Sequence, residues 1–288
     1  MKEQNLVLKD SNKISEYMIE DIKNKIIQGD ALEVLKKIPK ESADLIFMDP
    51  PYFLQLPKKQ LRRWNVNTTV EGVGDQWDKF SSFEEYDRFI DTILSELKRI
   101  MKPEATIWVI STYHSIFRIG KILQDLGFWV LNSIHWIKSN AMPNWLGVRF
   151  TNATETMIWA VKDKEVKKYI FDKKLAKEFG IGKVGANVWV IPLCTGKERL
   201  KDENGNKLHT TQKPVELLRR IISITSNEGD VVLDPLAGTG TTGHVAQALN
   251  RNFILIEKEL KYIEGAKKRL SSTLVFKDKR SRMEDEFK

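Results

Sequence analysis

The sequence predicts an α/β protein built on a doubly wound, mostly parallel sheet, and three observations carry that expectation. Short runs dominated by β-branched and aromatic residues alternate with stretches of helical periodicity along most of the 288 residues. The runs are apolar at consecutive positions, the pattern of strands buried on both faces. Two of them end in turn-forming clusters, Asp49-Pro50-Pro51-Tyr52 and Asp234-Pro-Leu-Ala-Gly238-Thr239-Gly240-Thr241-Thr242. In an open α/β sheet, the carboxyl ends of strands are where ligands sit.

Taken in order, strands are expected at 26–28 (IIQ), 43–48 (ADLIFM), 105–111 (ATIWVIS), 128–137 (FWVLNSIHWI), 153–161 (ATETMIWAV), 230–233 (DVVL) and 252–257 (NFILIE). A helix is expected to start at residue 31. Another, 83–101, carries Phe83, Tyr86, Phe89, Ile90, Ile93, Leu94 and Leu97 on one stripe and should stop near Pro103, which has no N–H to continue it. Further helices fit 116–126, 214–225, 242–249 and 260–270. From 139 to about 209 the chain is rich in Gly, Asn, Lys and isolated aromatics and follows the rhythm poorly. Within it, residues 162–201 hold 11 basic against 5 acidic side chains. A second polar, loop-like stretch, 54–77, contains Lys58, Lys59, Arg62 and Arg63. The last dozen residues mix both signs without periodicity and should fray.

Composition narrows the class. Hydrophobic residues make up 41%, enough for a real core, and 47 Lys+Arg against 39 Asp+Glu give a net charge of +8, which favours a polyanionic partner. The single cysteine, Cys194, excludes a disulfide framework and any zinc site built on paired cysteines; it is expected to be buried and inert. The four histidines are scattered, so no metal is expected. No signal-like run and no stretch of ~20 apolar residues occurs, so a cytoplasmic protein without membrane contact is expected.

The first cluster places two prolines directly after a strand, where neither can donate to a helix or a central ladder, so the chain must turn. Such a turn offers carbonyl oxygens inward, beside the Asp49 carboxylate and the Tyr52 ring. Acceptors plus a flat ring suit a planar –NH2 group, although an ordinary Asp-Pro turn with a packing tyrosine would look the same. In the second cluster Gly238, Gly240 and Gly243 follow G-x-G-x-x-G between a strand and a helix, where backbone can approach a ligand closely and the helix start favours negative charge. Glu257 ends the next strand, near the ~20-residue offset at which an acidic side chain holds ribose hydroxyls. These features point to an adenosine-containing cofactor.

Together the clusters resemble the signature pair of the amino-group DNA methyltransferases, which transfer methyl from S-adenosylmethionine to an exocyclic base nitrogen. The order here, with the tetrad first, the glycine turn last and a basic segment between, resembles the β arrangement, a circular rearrangement of the Rossmann-like methyltransferase sheet with an inserted target-recognition region. The strings GVGDQWDKFSSFEEYD (72–87), LQDLGFWVLN (123–132) and CTGKERLKDENGNKLHTTQKP (194–214) are similar to the HinfI and cell-cycle-regulated adenine methyltransferases that modify GANTC. The likeness runs from about residue 26 to residue 270. It departs at Leu236, where Phe is common, and at His209-Thr210-Thr211-Gln212, where His-Pro-Thr-Gln is usual. An aspartate opening the tetrad leans towards adenine; serine is commoner among cytosine enzymes. A glutamine-amide methyltransferase would not need the basic insert, a dinucleotide-dependent oxidoreductase would leave the tetrad unexplained, and a non-catalytic DNA-binding module would leave it idle.

The resemblance implies a division into 20–138 as catalytic half, 139–209 as target-recognition insert, 210–272 as cofactor-binding half and 273–288 as flexible tail. It implies that Asp49, Pro50, Pro51 and Tyr52 are catalytic, with the Asp49 carboxylate and Pro50 carbonyl holding the N6 protons and Tyr52 stacking on a flipped adenine. Asp30, Lys213, Asp234, Gly238, Thr239, Gly240, Thr241 and Glu257 would surround S-adenosylmethionine: Asp30 at its adenine, Glu257 at its ribose, and Lys213 with the glycine turn at the methionine end. Asp30 could equally cap the helix starting at residue 31. For DNA, Asn140, Asn144, Arg149, Lys197 and Arg199 have side chains that pair with base edges or phosphates, and Trp145 in its polar loop could stack on a base, whereas Trp136 and Trp159 fit the core. Double-stranded DNA is the implied partner, with a cognate restriction endonuclease and a second copy of the chain to be tested for.

Overall fold

Apolar strands buried on both sides need a helical layer on each face, and that is the arrangement found in the computed structural model, which describes residues 6–54, 61–63, 66–70, 78–144, 147–179 and 185–276. In chain order the elements are β1 (Val7–Lys9), α1 (Ile19–Ile22), β2 (Lys25–Gln28), α2 (Ala31–Leu35), β3 (Ala43–Met48), β4 (Leu61–Arg63), β5 (Val66–Val70), α3 (Phe83–Ile100), β6 (Met101–Ser111), α4 (Ile116–Asp125), β7 (Trp129–Ile137), β8 (Thr154–Val161), α5 (Lys173–Phe179), β9 (Val188–Val190), α6 (Val215–Thr225), β10 (Val231–Asp234), α7 (Thr241–Ala248), β11 (Asn252–Glu257) and α8 (Leu260–Leu270). One nine-stranded sheet has the order β1-β2-β11-β10-β3-β6-β8-β7-β9, and β4 and β5 form a separate antiparallel hairpin. Every pairing from β1 to β6 is parallel; β8 alone runs against its neighbours β6 and β7.

Alternation along each strand sorts the core into two layers. Ile46 and Met48 of β3, with Ile254 and Ile256 of β11, meet Tyr86, Ile90 and Leu94 of α3 and Ile119 of α4 on one face. Leu45 and Phe47, with Phe253 and Leu255, meet Leu218 and Ile222 of α6, Val245 of α7 and Ile263 of α8 on the other. Each such side chain, taken fully out of water, contributes roughly 1.5–3 kcal/mol before the entropy of ordering it. Helix α3 starts where Ser82 accepts from the Glu85 N–H at 3.2 Å while Glu85 reaches back to the Ser81 N–H at 2.6 Å, a capping box displaced by one residue. Among the described residues no helix is long and apolar enough to cross a membrane.

Several expectations are corrected. The helix does stop near Pro103, at Ile100, but the proline itself was not expected inside β6, where the register against β3 shifts between Ala43 and Leu45. Proline is tolerated there because an irregular pairing needs no N–H from it. Stretch 54–77 is not loop throughout, since Leu61–Arg63 and Val66–Val70 pair as a hairpin; Lys58 and Lys59 lie outside the described residues. Within 139–209 the expected strand is present as β8, and an unexpected short strand, β9, joins the sheet beside β7. Of the expected tail, residues 277–288 lie outside the described residues, while Leu274 and Phe276 pack against the core.

Candidate active site

Four adjacent parallel strands bring the two sequence clusters to one edge. Asp49 directly follows β3, β10 ends at Asp234, β11 at Glu257, and β2 leads through Gly29 to Asp30. Antiparallel β8 begins where β6 ends, with Thr156 opposite Ser111, so Glu155 sits at the same edge. A cavity of about 540 Å³ opens there, lined by the whole tetrad and by Asp30, Lys213, Asp234, Gly238, Thr239, Thr241 and Glu257.

The tetrad is held from behind. Phe53, the next residue, has φ of 50°, a left-handed conformation unfavourable for a bulky side chain, at a cost of order 1–3 kcal/mol. Buried Asp78 offsets that cost by accepting the Phe53 N–H at 2.6 Å and the Leu54 N–H at 3.0 Å. The Phe53 ring is enclosed by Phe80, Phe83 and Tyr86, and the Tyr86 hydroxyl donates to the Pro51 carbonyl at 2.9 Å. Among the described residues no donor reaches the Pro50 carbonyl, and Asp49 Oδ1, inaccessible to solvent, is likewise without a partner.

Asp49 Oδ2 accepts from Lys213 Nζ at 2.6 Å, and Lys213 lies 3.9 Å from Glu155 Oε2. Glu155 Oε2 also accepts from the Tyr52 hydroxyl at 2.8 Å, and its Oε1 pairs with Lys138 at 2.9 Å. Burial raises the Asp49 carboxyl, against the opposing pull of Lys213. Burial pulls the Lys213 ammonium down, but Asp49 and Glu155 outweigh it and hold it above its ordinary value. Tyr52, 6% exposed, is pushed well up by burial and by both carboxylates, so its hydroxyl stays a donor. Lys213 therefore attends the tetrad and not the glycine turn alone: its ammonium is spent on Asp49, and only its carbonyl touches the turn, accepting from Thr241 Oγ1 at 3.5 Å.

At the glycine turn, Gly238 has φ of 52° and its N–H donates to Glu257 Oε2 at 2.8 Å. Gly240, φ 71°, opens α7; a Cβ there would stand 2.8 Å from that of Ala266, so this glycine permits helix packing and does not line the cavity. Asp234 is buried on Thr242 and on the Leu236 N–H, shaping the turn, and burial raises it to about 7. Burial likewise raises Glu257 to about 7, although its carboxylate accepts the N–H groups of Lys258, Glu259 and Gly238. Asp30 caps α2 through the Leu32 N–H at 3.1 Å and pairs with Lys258 at 3.3 Å. An open glycine backbone, acidic acceptors at the strand ends and a donor-free carboxylate oxygen make the cavity a fit for a nucleoside joined to an amino acid.

The expected DNA contacts separate. Arg149 and Lys197 are exposed. Arg199 is bound to backbone, donating to the carbonyls of Cys194, His209 and Thr210 at 2.8–3.2 Å, because a carbonyl-rich turn there needs a donor. Asn140 accepts the Leu193 N–H at 2.6 Å and Asn144 accepts the Val148 N–H at 3.2 Å, so both amides also close loops. Trp145 lies outside the described residues. Cys194 is buried, accepts from Gln212, and burial raises its thiol to about 11. Trp136 and Trp159 are core. Sequence reasoning missed Glu155, Lys138 and Asp78. Only Glu155 carried a signal, an acid inside the apolar run TETMIWAV.

Comparison with known proteins shows the family of the chain. A family model described as DNA methylase matches residues 43–268. The chain is 52% identical over 252 residues to the Type II methyltransferase M.HinfI of Haemophilus influenzae, covering 88% of this chain and 69% of that one. It is 40% identical over 246 residues to the Type II methyltransferase M2.LlaDCHI of Lactococcus lactis subsp. cremoris, covering 85% and 88%. Among solved structures, the M1.HpyAVI–SAM complex superposes with a TM-score of 0.62 at 29% identity, covering 86% of this chain and 98% of that one.

Proposed function

Because this chain belongs to the DNA methylase family, we propose that its tetrad cavity methylates N6 of an adenine turned out of duplex DNA, within GANTC, with S-adenosylmethionine as donor. The observation that carries this reading is Asp49 Oδ1, a buried acceptor without a donor beside the Pro50 carbonyl in the cavity that also holds the glycine turn. The two acceptors would bind both N6 protons and favour a geometry that frees the lone pair from the ring, and Tyr52 would stack on the base. When bound, S-adenosylmethionine would supply an electrophilic methyl for attack by the N6 lone pair, the C–S bonding electrons leaving with sulfur as the C–N bond forms. Asp49 need not be a strong base, since alkylated N6 is far more acidic and loses its proton readily. Asp30 and Glu257 would hold the nucleoside, and Gly238, Thr239 and Thr241 the amino-acid end; Asp234 and Gly240 shape the turn. The test is tritiated methyl transfer to plasmid DNA with nucleoside analysis. Label in N6-methyladenine that disappears when GANTC is removed supports the reading, and label in N4-methylcytosine overturns it. A restriction enzyme of the same specificity would be the cognate partner.

Two further outcomes are expected. Glu257→Ala should weaken S-adenosylmethionine by about 1–3 kcal/mol in calorimetry. Because the carboxyl is raised to about 7 and only its ionised form accepts hydroxyl protons fully, wild-type affinity should rise with pH through neutrality, and the variant should lose that rise. Affinity independent of pH would remove Glu257 from the ribose. For sequence reading, exposed Arg149 is expected to hold guanine, so Arg149→Ala should relax the methylated motif at one position, at ~1–3 kcal/mol of discrimination, in methylation mapping. An unchanged motif at lower occupancy would make it a phosphate contact.

A further inference from the structure

We propose that Glu155, together with Lys138, is a positioning residue of the methyl-transfer site: it fixes the Tyr52 hydroxyl and keeps the buried charges around Asp49 balanced. The inference rests on the reading of Asp49 and Tyr52 given above. Four charges alternate in sequence, Asp49, Lys213, Glu155 and Lys138, with contacts of 2.6, 3.9 and 2.9 Å. None of the four side chains is more than 19% exposed, so solvent screens them weakly. Two anions and two cations cancel. A neutral array matters in this chemistry, because both the sulfonium donor and the nitrogen that accepts methyl carry positive charge as the bond forms.

Glu155 also divides the attention of Lys213. Without it, Lys213 would be left to Asp49 and the more distant Asp234, and Lys138 would lose its ion-pair partner. The site would then carry one excess positive charge against a cationic transition state. The groups facing Asp49 are Lys213 ahead of α6, Glu155 of β8, Asp234 of β10 and Tyr52 of its own turn; Lys138, at the end of β7, faces Glu155. Removing the Glu155 charge should lower the Asp49 carboxyl, and removing the Lys138 charge should raise it. A purely structural prop would not give opposite signs.

The experiment is single-turnover methyl transfer to plasmid DNA across pH for wild type, Glu155→Gln, Lys138→Met and the double variant, with S-adenosylmethionine affinity and melting as controls. Glu155→Gln should slow the chemical step by about a hundredfold, the factor one charge exerts at ~6 Å and an effective dielectric constant of about 20, and shift the acid limb to lower pH. Lys138→Met should shift that limb upward. The double variant, neutral again, should recover at least about tenfold over Glu155→Gln. A double variant no faster than Glu155→Gln, or limbs moving in the same direction, would reduce Glu155 to a support for Tyr52 and overturn the proposal. Should Glu155→Gln fail to fold, Lys138→Met decides it alone: an acid limb that stays in place or moves to lower pH would overturn the proposal. Wild type that places no methyl on a base amino group would sink the underlying reading instead, and the same assay reports that separately.

Discussion

Asp49→Ala is expected to lower methyl transfer by at least about a hundred- to a thousandfold while S-adenosylmethionine still binds, the scale of removing one preorganised partner of developing charge. The substitution takes away Oδ1, the buried oxygen without a protein donor, and the charge that faces Lys213 at 2.6 Å. It spares the fold more than removal of a buried ion normally does, because Lys213 already lies 3.9 Å from Glu155 and can turn to it. It also spares the cofactor end, since the Gly238 turn is held by Glu257 and the α2 cap by Asp30, neither of which touches Asp49. The check is a paired measurement, calorimetric cofactor affinity and single-turnover rate. Retention of more than a few per cent of activity would mean that the Pro50 carbonyl and Tyr52 suffice. Loss of cofactor binding would mean that the carboxylate supports the cavity and not the base.

Long apolar runs revealed their strands because burial on both faces leaves no other pattern; β3 and β11 were legible to the residue. Short elements were not. β1 and β9 are three residues each, and they are strands because a neighbouring edge offers a ladder, which no local signal records. Pro103 marked the helix end at Ile100 but not its own place in β6, because an irregular register needs no N–H from it. Within the site, the tetrad and the glycine turn could be read because turn chemistry is local. The ion array could not be, because Asp49, Glu155 and Lys213 are brought together only by sheet order, with β8 running backwards to present an acid at the edge. The same holds for the DNA-facing candidates. Arg199 and Asn140 have side chains suited to bases, but carbonyls and N–H groups nearer by in the fold claim them first. Arg199→Ala should therefore lower stability and leave the methylated motif unchanged.

Lys213→Met is expected to be the most damaging substitution for the fold, and its damage should depend on pH. Removing one partner of a buried ion pair costs roughly 3–5 kcal/mol because the other charge is left in low dielectric. Asp49 has no second cation to turn to, since Lys138 is engaged on the far oxygen of Glu155. Asp49 can escape the penalty only by taking a proton. Burial already raises this carboxyl, and losing Lys213 raises it further. An acid with a raised folded value binds more protons folded than unfolded, so stability falls as pH climbs from the ordinary carboxylate range towards the raised one. The variant should thus melt close to wild type at about pH 5 and lower at about pH 8, by on the order of 10 °C for a loss of that size. Adding Asp49→Asn removes the stranded charge and should restore most of the melting temperature without restoring methyl transfer. An equal loss at both pH values, or no recovery in the double variant, would assign the effect to the packing of the lysine stem against Tyr52, whose ring centre lies 5.1 Å from Nζ, and not to charge.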